Sequence, residues 1–416
     1  MMSVLDSGQV MRKALFCFSA ILSVVSMLEA SLANASLSQF ESIKNKIKGE
    51  MKVRVLVGSG LSEISLSGNN LRKNIIFNHD QKFYRGHKKL KFNCRSLTKN
   101  GGKAKGPPIL FASLSSNLGK IEFEENIYQG EINILARKGE NNCDVVNVSP
   151  LESYLETLLA KEMNGSWPVE VLKAQAVAAR SYALHKIYFG QVSKEAGHEA
   201  YYDLENSEKH QVSGTLRDIT KRTKEATTET RGEILVTKEG NLVPIFFHAQ
   251  CGGHTLLPDE VWENHVEGYK GVRCIGCEHK GGKIWKEGIT LLRFRSFLNW
   301  MADNNYVSHD VKVDVTNEKI LISPDKLSYN RLRIYIGNKL LMISKTLLRK
   351  YFGRFIIPSN NFQVSLQQSQ IQINGMGNGH GVGLCQVGAL DLAERGWDYK
   401  KILAYYFPGH RLENIY

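Results

Sequence analysis

Hydrophobic and polar residues alternate along the first third of the chain in a pattern typical of β-strands. Residues 51–57 read Met-Lys-Val-Arg-Val-Leu-Val, and further β-type runs occur along 61–66 and 121–134. A period of two places successive side chains on opposite faces of a strand, so each segment can bury one face. Clusters of glycine and asparagine, such as 100–106, predict turns or loops. We therefore predict a β-rich N-terminal domain over residues 36–147.

After this domain the apolar spacing becomes helical. Leucines recur every three or four positions along 151–159, which gives a helix one apolar face. Ser149 can cap this helix, Pro150 suits its first position, and Glu152 lies three residues after the cap. Together these residues predict a capping box at the start of the helix.

A second helix follows after a bend. Gly165 and Pro168 exclude one continuous helix, and Pro168 suits the opening of the next one. Small residues such as Ala176 recur on one face of this helix, so a neighbouring element can approach it closely. Lys173 and Arg180 lie seven positions apart and therefore share another face.

The second half of the chain mixes strands and helices. Residues 231–237 and 242–249 flank a Lys-Glu-Gly-Asn segment and predict a β-hairpin. Residues 286–370 combine a helix near 291–300 with several strands.

A glycine-rich loop, 375–383, precedes the last two predicted helices. Gly396 is expected to end the first of them, and the second begins after Asp398. The loop has neither a G-x-G-x-x-G register nor a following G-K-[ST], which argues against a nucleotide site. His380 and Gln386 are better explained as polar groups presented on a tight loop.

Glu162 stands where the first helix of the pair ends. The negative end of the helix dipole disfavours a second negative charge, and the nearby Met163 and Trp167 reduce solvation. Both effects favour the protonated carboxyl, which could then serve as a general acid near neutral pH. The alternative from the pattern alone is a solvated glutamate at a helix end.

The N-terminus has the features of a secretory signal peptide. Arg12 and Lys13 precede a mostly apolar run, and Ala33-Asn-Ala35 fits the small-x-small cleavage pattern. We predict cleavage after Ala35, export to the periplasm or cell envelope, and no transmembrane segment in the mature chain. The alternative is an N-terminal membrane anchor, although the apolar run is short for a span.

The formal net charge is +13, and the predicted signal peptide carries no net part of it. An exported basic protein is expected to meet an anionic envelope polymer or membrane surface rather than nucleic acid. A generally basic, solvated surface explains the same charge without any partner.

Six cysteines follow the predicted cleavage site, and Cys94 with Cys143 is the natural candidate for a disulfide. Further along, Cys251, His254, Cys274 and Cys277 have the residue types of a structural zinc site. Their spacing is not that of a common zinc finger. A disulfide among these cysteines and plain core cysteines are therefore alternatives to the metal.

Three segments of the chain resemble the SpoIID/LytB family of cell-wall proteins, the sporulation and amidase-enhancer group. They occur in the family's order, and the resemblance covers about residues 50–416. The segments are LESYLETLLAKEMNGSWPVEVLKAQAVAARSYAL, TRGEILVTKEGNLVPIFFHAQCGGHT and GNGHGVGLCQVGALDLAERGWDYKKILAYYFPG.

The resemblance implies a lytic transglycosylase that cleaves peptidoglycan glycan strands, notably peptide-free ones. The glutamate before the Trp-Pro element, Glu162, would protonate the glycosidic oxygen between N-acetylmuramic acid and N-acetylglucosamine. It would then assist attack by the muramic acid 6-hydroxyl and so give a 1,6-anhydro end. The same matching implies a substrate-binding cleft that contains Lys173, Gln175, Arg180, Tyr182, His248, His380 and Gln386.

The resemblance also qualifies the cysteine interpretation. The family often has Ser where Cys385 stands, and some members bind zinc close to the position of His248 and Cys251. Cys274 and Cys277 are not a general feature of the family. Any zinc would be structural, since the proposed chemistry requires no cofactor.

Two other functions compete with the transglycosylase. Amidase-enhancer members bind the wall and stimulate an N-acetylmuramoyl-L-alanine amidase, so a non-catalytic binder is the main alternative. The third hypothesis is a muramidase, which hydrolyses the glycan strand with water.

The expected fold class is α+β. A helical catalytic core with β-hairpins would be built from 148–285 and 371–416, and a mixed α/β accessory region, 286–370, would be inserted between them. The β-rich domain at 36–147 would precede this core, after the signal peptide at 1–35.

Overall fold

A computed structural model of the chain gives an α+β protein. The structure describes residues 38–77, 80–94, 108–137, 141–190, 201–206, 211, 214–262, 264–308, 319–325, 330–367 and 370–416. The predicted signal peptide and the loop at 100–106 lie outside these residues. No helix in the described part of the chain is long and apolar enough to cross a membrane.

A nine-stranded sheet forms the N-terminal part of the molecule and follows a short helix, α1 (Gln39–Lys44). Its strands are β1 (Lys52–Leu61), β2 (Glu63–Phe77), β3 (Asp80–Asn93), β4 (Pro108–Ser115), β5 (Lys120–Phe123), β6 (Asn126–Gln129), β7 (Glu131–Arg137), β8 (Cys143–Pro150) and β9 (Leu204–Glu205). The order is β6-β5-β2-β4-β7-β8-β1-β9, and β3 pairs with β2.

Alternating apolar side chains of this sheet bury a core that includes Ile64, Leu66 and Ile132. The predicted Cys94–Cys143 disulfide is confirmed, with Cα atoms 5.7 Å apart. The sheet does not stop at residue 147, because β8 runs to Pro150 and β9 comes from beyond the helical pair.

The predicted helical pair consists of α2 (Leu151–Glu162) and α3 (Val169–Phe189). The predicted capping box is wrong, because Ser149 and Pro150 belong to β8 and Pro150 occupies the N-cap position without a side-chain hydrogen bond. Glu152 instead pairs with Arg180 of α3. Glu152 forms this tertiary ion pair in place of the local cap. Its partner, Arg180, lies outside the short stretch of sequence that predicts the capping box.

Arg180 is fully buried between these helices. Its Nε and Nη2 atoms donate to the two carboxylate oxygens of Glu152 at 3.0 and 2.7 Å. Its Nη1 donates to the carbonyl of Glu233 at 3.0 Å, and the backbone N–H of Gly232 donates to Glu152. This bidentate pair therefore locks α3 against α2 and the strand that begins at Glu233.

The predicted hairpin at 231–249 is wrong in its pairing. The first arm, β10 (Glu233–Thr237), pairs antiparallel with the C-terminal strand β19 (His410–Asn414). The second arm contains only β11 (Phe247–His248), which runs parallel to β18 (Leu384–Cys385). Pro244 has no N–H to offer a ladder, so the second arm cannot pair continuously with the first.

The stretch 284–376 has a hydrophobic core of its own, in which Phe294, Phe297 and Ile373 are fully buried. Its elements are β12 (Ile284–Thr290), α7 (Leu291–Asp303), β13 (Ile320–Pro324), β14 (Arg331–Ile336), β15 (Lys339–Ser344), α8 (Lys345–Phe352), β16 (Phe362–Gln367) and β17 (Gln370–Met376). The strands form two three-stranded sheets, β12-β17-β16 and β13-β14-β15.

The remaining helices follow α3 in the chain. They are α4 (Lys221–Glu229), α5 (Pro258–Trp262), α6 (Ile275–His279), α9 (Gln386–Glu394) and α10 (Tyr399–Tyr406). Gly396 follows α9 with a φ of +83°, and the Asp398 side chain accepts the N–H of Lys401 at 2.7 Å to cap α10. Both predicted helix boundaries at this end of the chain are confirmed.

His410 makes the folded state sensitive to acid. Its ring is buried against Tyr269 and Phe407, and neither ring nitrogen has a hydrogen-bond partner within the described structure. Burial lowers the pKa of His410 to about 4. The folded state therefore keeps the ring neutral, whereas in the unfolded chain the ring takes up a proton below pH about 6.5. Stability is thus full above this pH and is lost as the pH falls from about 6.5 toward 4.

Between pH 7 and pH 5, this one histidine should cost about 2 kcal/mol of unfolding free energy. In His410→Gln, the difference in unfolding free energy between pH 7 and pH 5 should be smaller by about that amount, independently of how the substitution changes stability at pH 7. Urea unfolding at the two pH values measures the difference. An unchanged pH dependence would show that His410 is protonated in the folded protein at pH 5.

Candidate active-site cleft

Two adjoining cavities of about 870 and 800 Å³ form one open groove. They share a wall made by Phe247, Arg349, Arg354, Gly379 and His380. Each cavity is in the size range of a site for one small ligand. Their continuity gives the groove room for an extended, chain-like ligand.

Glu162 lines the second cavity at the end of α2. The next residue, Met163, turns the chain into extended backbone and buries its side chain, which anchors the helix end. Asn164 then accepts hydrogen bonds from the N–H and hydroxyl of Ser166 at 2.9 and 2.8 Å. A tightly bonded turn before Pro168 thus holds Glu162 at the rim of the cavity, half-buried.

Two histidines lie side by side in the floor of the groove, with ring centroids 5.4 Å apart. His248 donates from Nδ1 to the carbonyl of Val382 at 3.0 Å, which leaves Nε2 as an acceptor without a partner within the described residues. His380 accepts the N–H of Val382 at Nδ1, at 3.1 Å.

Both rings are neutral near neutral pH. Burial lowers the pKa of His248 to about 4, and burial together with the neighbouring His248 lowers the pKa of His380 well below its ordinary value. Of these two neutral rings, His248 is the one with a nitrogen, Nε2, that has no hydrogen-bond partner among the described residues, so it can accept a hydrogen bond from a hydroxyl-rich ligand.

Gln386 lines the second cavity from the N-terminus of α9. Its Nε2 atom points to Oε1 of Gln175 at 3.5 Å. Gln175 is fully buried on α3 and lies behind Gln386, so it supports that side chain rather than lining the groove.

The other residues that the family resemblance implied on α3 divide into two groups. Tyr182 lines the first cavity and packs against Phe246. Lys173 and Arg180 line neither cavity. Lys173 instead forms ion pairs with Glu170 and Glu229, each at 2.7 Å.

The reason lies in the shared helix face. Seven residues make about two helical turns, so Lys173 and Arg180 do point the same way, but that face packs toward α4 and β10. The sequence identified the common face correctly and could not show which neighbour covers it.

Sequence reasoning missed the basic character of the groove. Lys161, Lys283, Arg349 and Arg354 line the second cavity, and Glu162 is the one carboxylate among the described residues that line either cavity. The two arginines lie in and just after α8, within the region 286–370 that the sequence predicts to be accessory. The run Leu-Leu-Arg-Lys-Tyr-Phe-Gly-Arg at 347–354 was the available signal.

The groove also has exposed aromatic groups. Phe355 is fully exposed at the second cavity, and Trp262 is 37% exposed at the first, where it packs on Phe246 and His380. Aromatic faces next to polar groups can stack on the apolar faces of sugar rings.

A cluster of cysteines lies behind the groove. Cys251, Cys274, Cys277 and Cys385 are all buried, and their sulfur atoms lie within 4.8 Å of one another. The structure thus brings together three of the four predicted metal ligands. His254 is not in the cluster: it is exposed and forms a β-bridge with Arg273, and Cys385 takes its place.

Comparisons with known proteins point to one family. The family described as Stage II sporulation protein, SpoIID, matches residues 139–236, which contain both helices of the pair and Glu162. An uncharacterized protein of Brachyspira hyodysenteriae is 34% identical over 265 residues, which is 64% of this chain and 67% of that protein.

Two relatives from Bacillus subtilis carry descriptive names. The amidase enhancer is 25% identical over 366 residues, and the match spans 78% of this chain but only 49% of that protein. Stage II sporulation protein D is 24% identical over 288 residues, or 65% of this chain and 76% of that protein. The chain belongs to the SpoIID/LytB family.

Proposed function

We propose that the protein is an exported lytic transglycosylase of the cell envelope. It would cleave peptidoglycan glycan strands between N-acetylmuramic acid and N-acetylglucosamine and leave 1,6-anhydro ends. The observation that carries the proposal is the position of Glu162, the one carboxylate among the described residues that line an open groove.

A single carboxylate fits a reaction whose nucleophile belongs to the substrate. Glycosidases that use water or a covalent intermediate need a pair of carboxyl groups across the scissile bond. When the muramic acid 6-hydroxyl attacks its own C1, one group can serve first as acid and then as base.

The steps balance without water. The Glu162 carboxyl gives its proton to the glycosidic oxygen, the C1–O bond breaks, and N-acetylglucosamine leaves with a free 4-hydroxyl. The carboxylate then takes the proton of the 6-hydroxyl as that oxygen bonds to C1. This step restores the acid and closes the anhydro ring.

The neutral histidines and Gln386 would position the strand. The buried, unpartnered Nε2 of His248 could accept a hydrogen bond from a sugar hydroxyl or an acetamido N–H of a strand seated in the groove, and the Gln386 amide offers both a donor and an acceptor. Hydrogen bonds of this kind orient C1 toward Glu162 without adding charge to the groove.

The basic wall favours peptide-free strands as substrate. Removing the peptide from N-acetylmuramic acid exposes a lactyl carboxylate, so a stripped strand carries a regular series of negative charges. Arg349 is fixed in the wall by donating from Nε and Nη2 to the carbonyls of Ile357 and Pro358, at 3.1 and 3.0 Å. Together with Lys161, Lys283 and Arg354 it supplies complementary positive charge.

We expect Arg354→Ala to raise KM for peptide-free strands about tenfold, because a hydrogen bond to a charged group contributes roughly 1.5–3 kcal/mol. The value of kcat should change little, since the carboxylate is bound alike in the ground state and the transition state. Steady-state kinetics on peptide-free and peptide-bearing strands measure the effect, with Lys120→Ala, an exposed lysine on β5, as control. An equal loss on both substrates would contradict a lactyl contact.

The experiment that tests the proposed function is digestion of peptide-free strands by the purified mature protein. Mass analysis should find new ends that are one water lighter than reducing ends. Ordinary reducing ends would instead identify a muramidase.

A second candidate function rests on the similarity to an amidase enhancer, which spans 78% of this chain. In this reading the groove binds glycan strands without cutting them, and the bound protein stimulates a cell-wall amidase. Strand binding without new ends, together with faster peptide release by an added N-acetylmuramoyl-L-alanine amidase, would favour it.

A further inference from the structure

The four clustered cysteines come from three separate parts of the chain. Cys251 follows β11, Cys274 and Cys277 lie at the start and in the middle of α6, and Cys385 ends β18 at the N-cap of α9. All four are free thiols in the structure. Their convergence is therefore a tertiary feature that no local motif creates.

The sulfur separations fit a single metal ion. All four sulfur atoms lie within 4.8 Å of one another. A tetrahedral Zn²⁺ with bonds of about 2.3 Å would hold its sulfur ligands about 3.8 Å apart. Only a small contraction would bring the thiols to that geometry.

Each sulfur already faces a hydrogen-bond donor. Backbone N–H groups donate to Cys277 from Gly252 at 3.2 Å and to Cys251 from Gly253 at 3.4 Å. Cys385 accepts from the N–H groups of Cys251 and Gly388, both at 3.4 Å. The hydroxyl of Tyr406 lies 3.0 Å from the sulfur of Cys274. Donors around every sulfur are what a cluster of buried thiolates requires.

Glycines shape this pocket. Gly252 and Gly253 have φ values of +79° and +115°, which direct their N–H groups at the sulfurs. A Cβ at Gly388 would collide with the sulfur of Cys274 and the hydroxyl of Tyr406, so only glycine fits there. The backbone is thus built to bring donors, rather than side chains, to the cluster.

We propose that Cys251, Cys274, Cys277 and Cys385 bind one Zn²⁺ as a closed, structural four-cysteine site. Four protein ligands leave no open position for water or substrate, and none of these cysteines lines the groove.

The site would brace the floor of the groove from behind. In the parallel pair β11–β18, His248 lies opposite Cys385, and Gln386 is the next residue. A metal that joins Cys251 and Cys385 to α6 would therefore fix β11, which carries His248, and the end of β18, which Gln386 follows. The proposal does not depend on the activity of the groove.

The first test is metal content. The full mature chain is produced in zinc-supplemented medium and purified without chelator or added reductant, and its metals are measured by elemental mass spectrometry. We expect one zinc per chain. Cobalt-grown protein should show the strong visible absorption of a tetrahedral Co²⁺–thiolate site. His254→Ala should keep the metal, because His254 lies outside the cluster, and Cys385→Ser should lose it.

The second test reads the thiols of the unmodified protein, so it does not depend on a variant that fails to fold. Unfolding in the presence of a chelator, still without reductant, should release four alkylatable thiols. Cys94 and Cys143 should stay disulfide-bonded and serve as the internal control. Two disulfides among the four cysteines would overturn the proposal. Native protein with four reactive thiols and no metal would do the same.

The bracing role has its own readout in hydrogen exchange. Removing zinc from the wild-type protein should reduce amide protection in 247–252 and 384–388 by more than about tenfold. Protection in β1 should stay unchanged. Unaltered exchange in the two groove segments after complete zinc removal would contradict the bracing role.

Discussion

Replacing Glu162 with glutamine is expected to lower the rate of glycan-strand cleavage by about 10²–10⁴-fold, the usual contribution of a positioned general acid–base group. The amide keeps the shape of the carboxyl but can neither give nor take the proton. Binding of the strand should stay nearly unchanged, because Glu162 is one residue among many that line the groove. The loss should therefore appear in kcat rather than in KM.

A matched control lies on the same helix. Glu156 is on α2, half-buried and outside both cavities, so Glu156→Gln tests whether removing any carboxylate from α2 lowers the rate. Rates are measured on peptide-free strands, and strand binding by cosedimentation with the insoluble polymer. Cleavage by Glu162→Gln at the wild-type rate would remove this residue from the mechanism.

Breaking the buried Arg180–Glu152 pair is expected to have the largest effect on stability. Arg180→Met should leave the Glu152 carboxylate buried without its partner and cost about 3–5 kcal/mol of unfolding free energy. Both side chains are nearly inaccessible to solvent, and the guanidinium donates to both carboxylate oxygens. A second change, Glu152→Leu, should restore part of the loss because it removes the unpaired charge.

Lys173→Met on the same helix face is the control for the buried pair. Lys173 pairs with Glu229, whose side chain is half exposed, so this change should cost only about 1 kcal/mol or less. Urea unfolding of the four proteins measures the differences. If Arg180→Met is as stable as the wild type and has a raised KM for glycan strands, Arg180 binds substrate, as the family resemblance implies.

Local patterns in the sequence predicted much of the fold. The alternation in 51–57, the leucine face of α2 and the Asp398 cap each depend on residues that are close in the chain, and all three gave the observed elements. The end of α2 at Glu162 was also predicted, because Gly165 and Pro168 prevent the helix from continuing.

Features that depend on distant partners were not predictable in this way. The strands β11 and β18 contain two residues each and are separated by more than a hundred positions, so no local period indicates their pairing. Glu152 has the right spacing for a capping box, but it forms an ion pair with Arg180 on the next helix instead. Local spacing shows which contacts are allowed, and tertiary packing selects among them.

The candidate site shows the same division. The family resemblance supplied Glu162 and the histidines, which do line the groove. The two arginines of its basic wall lie in and just after α8, and no spacing rule predicts that this helix borders the same groove as Glu162. Cys385 joined the cysteine cluster because its strand pairs with the one that precedes Cys251.

The most direct test of the central claim is cleavage of peptide-free strands in water enriched in heavy oxygen. If Glu162 directs the substrate's own 6-hydroxyl to C1, the new muramic acid ends will be anhydro sugars without heavy oxygen, and Glu162→Gln will produce almost none. Heavy oxygen at new reducing ends would show that water is the nucleophile and would contradict the transglycosylase mechanism.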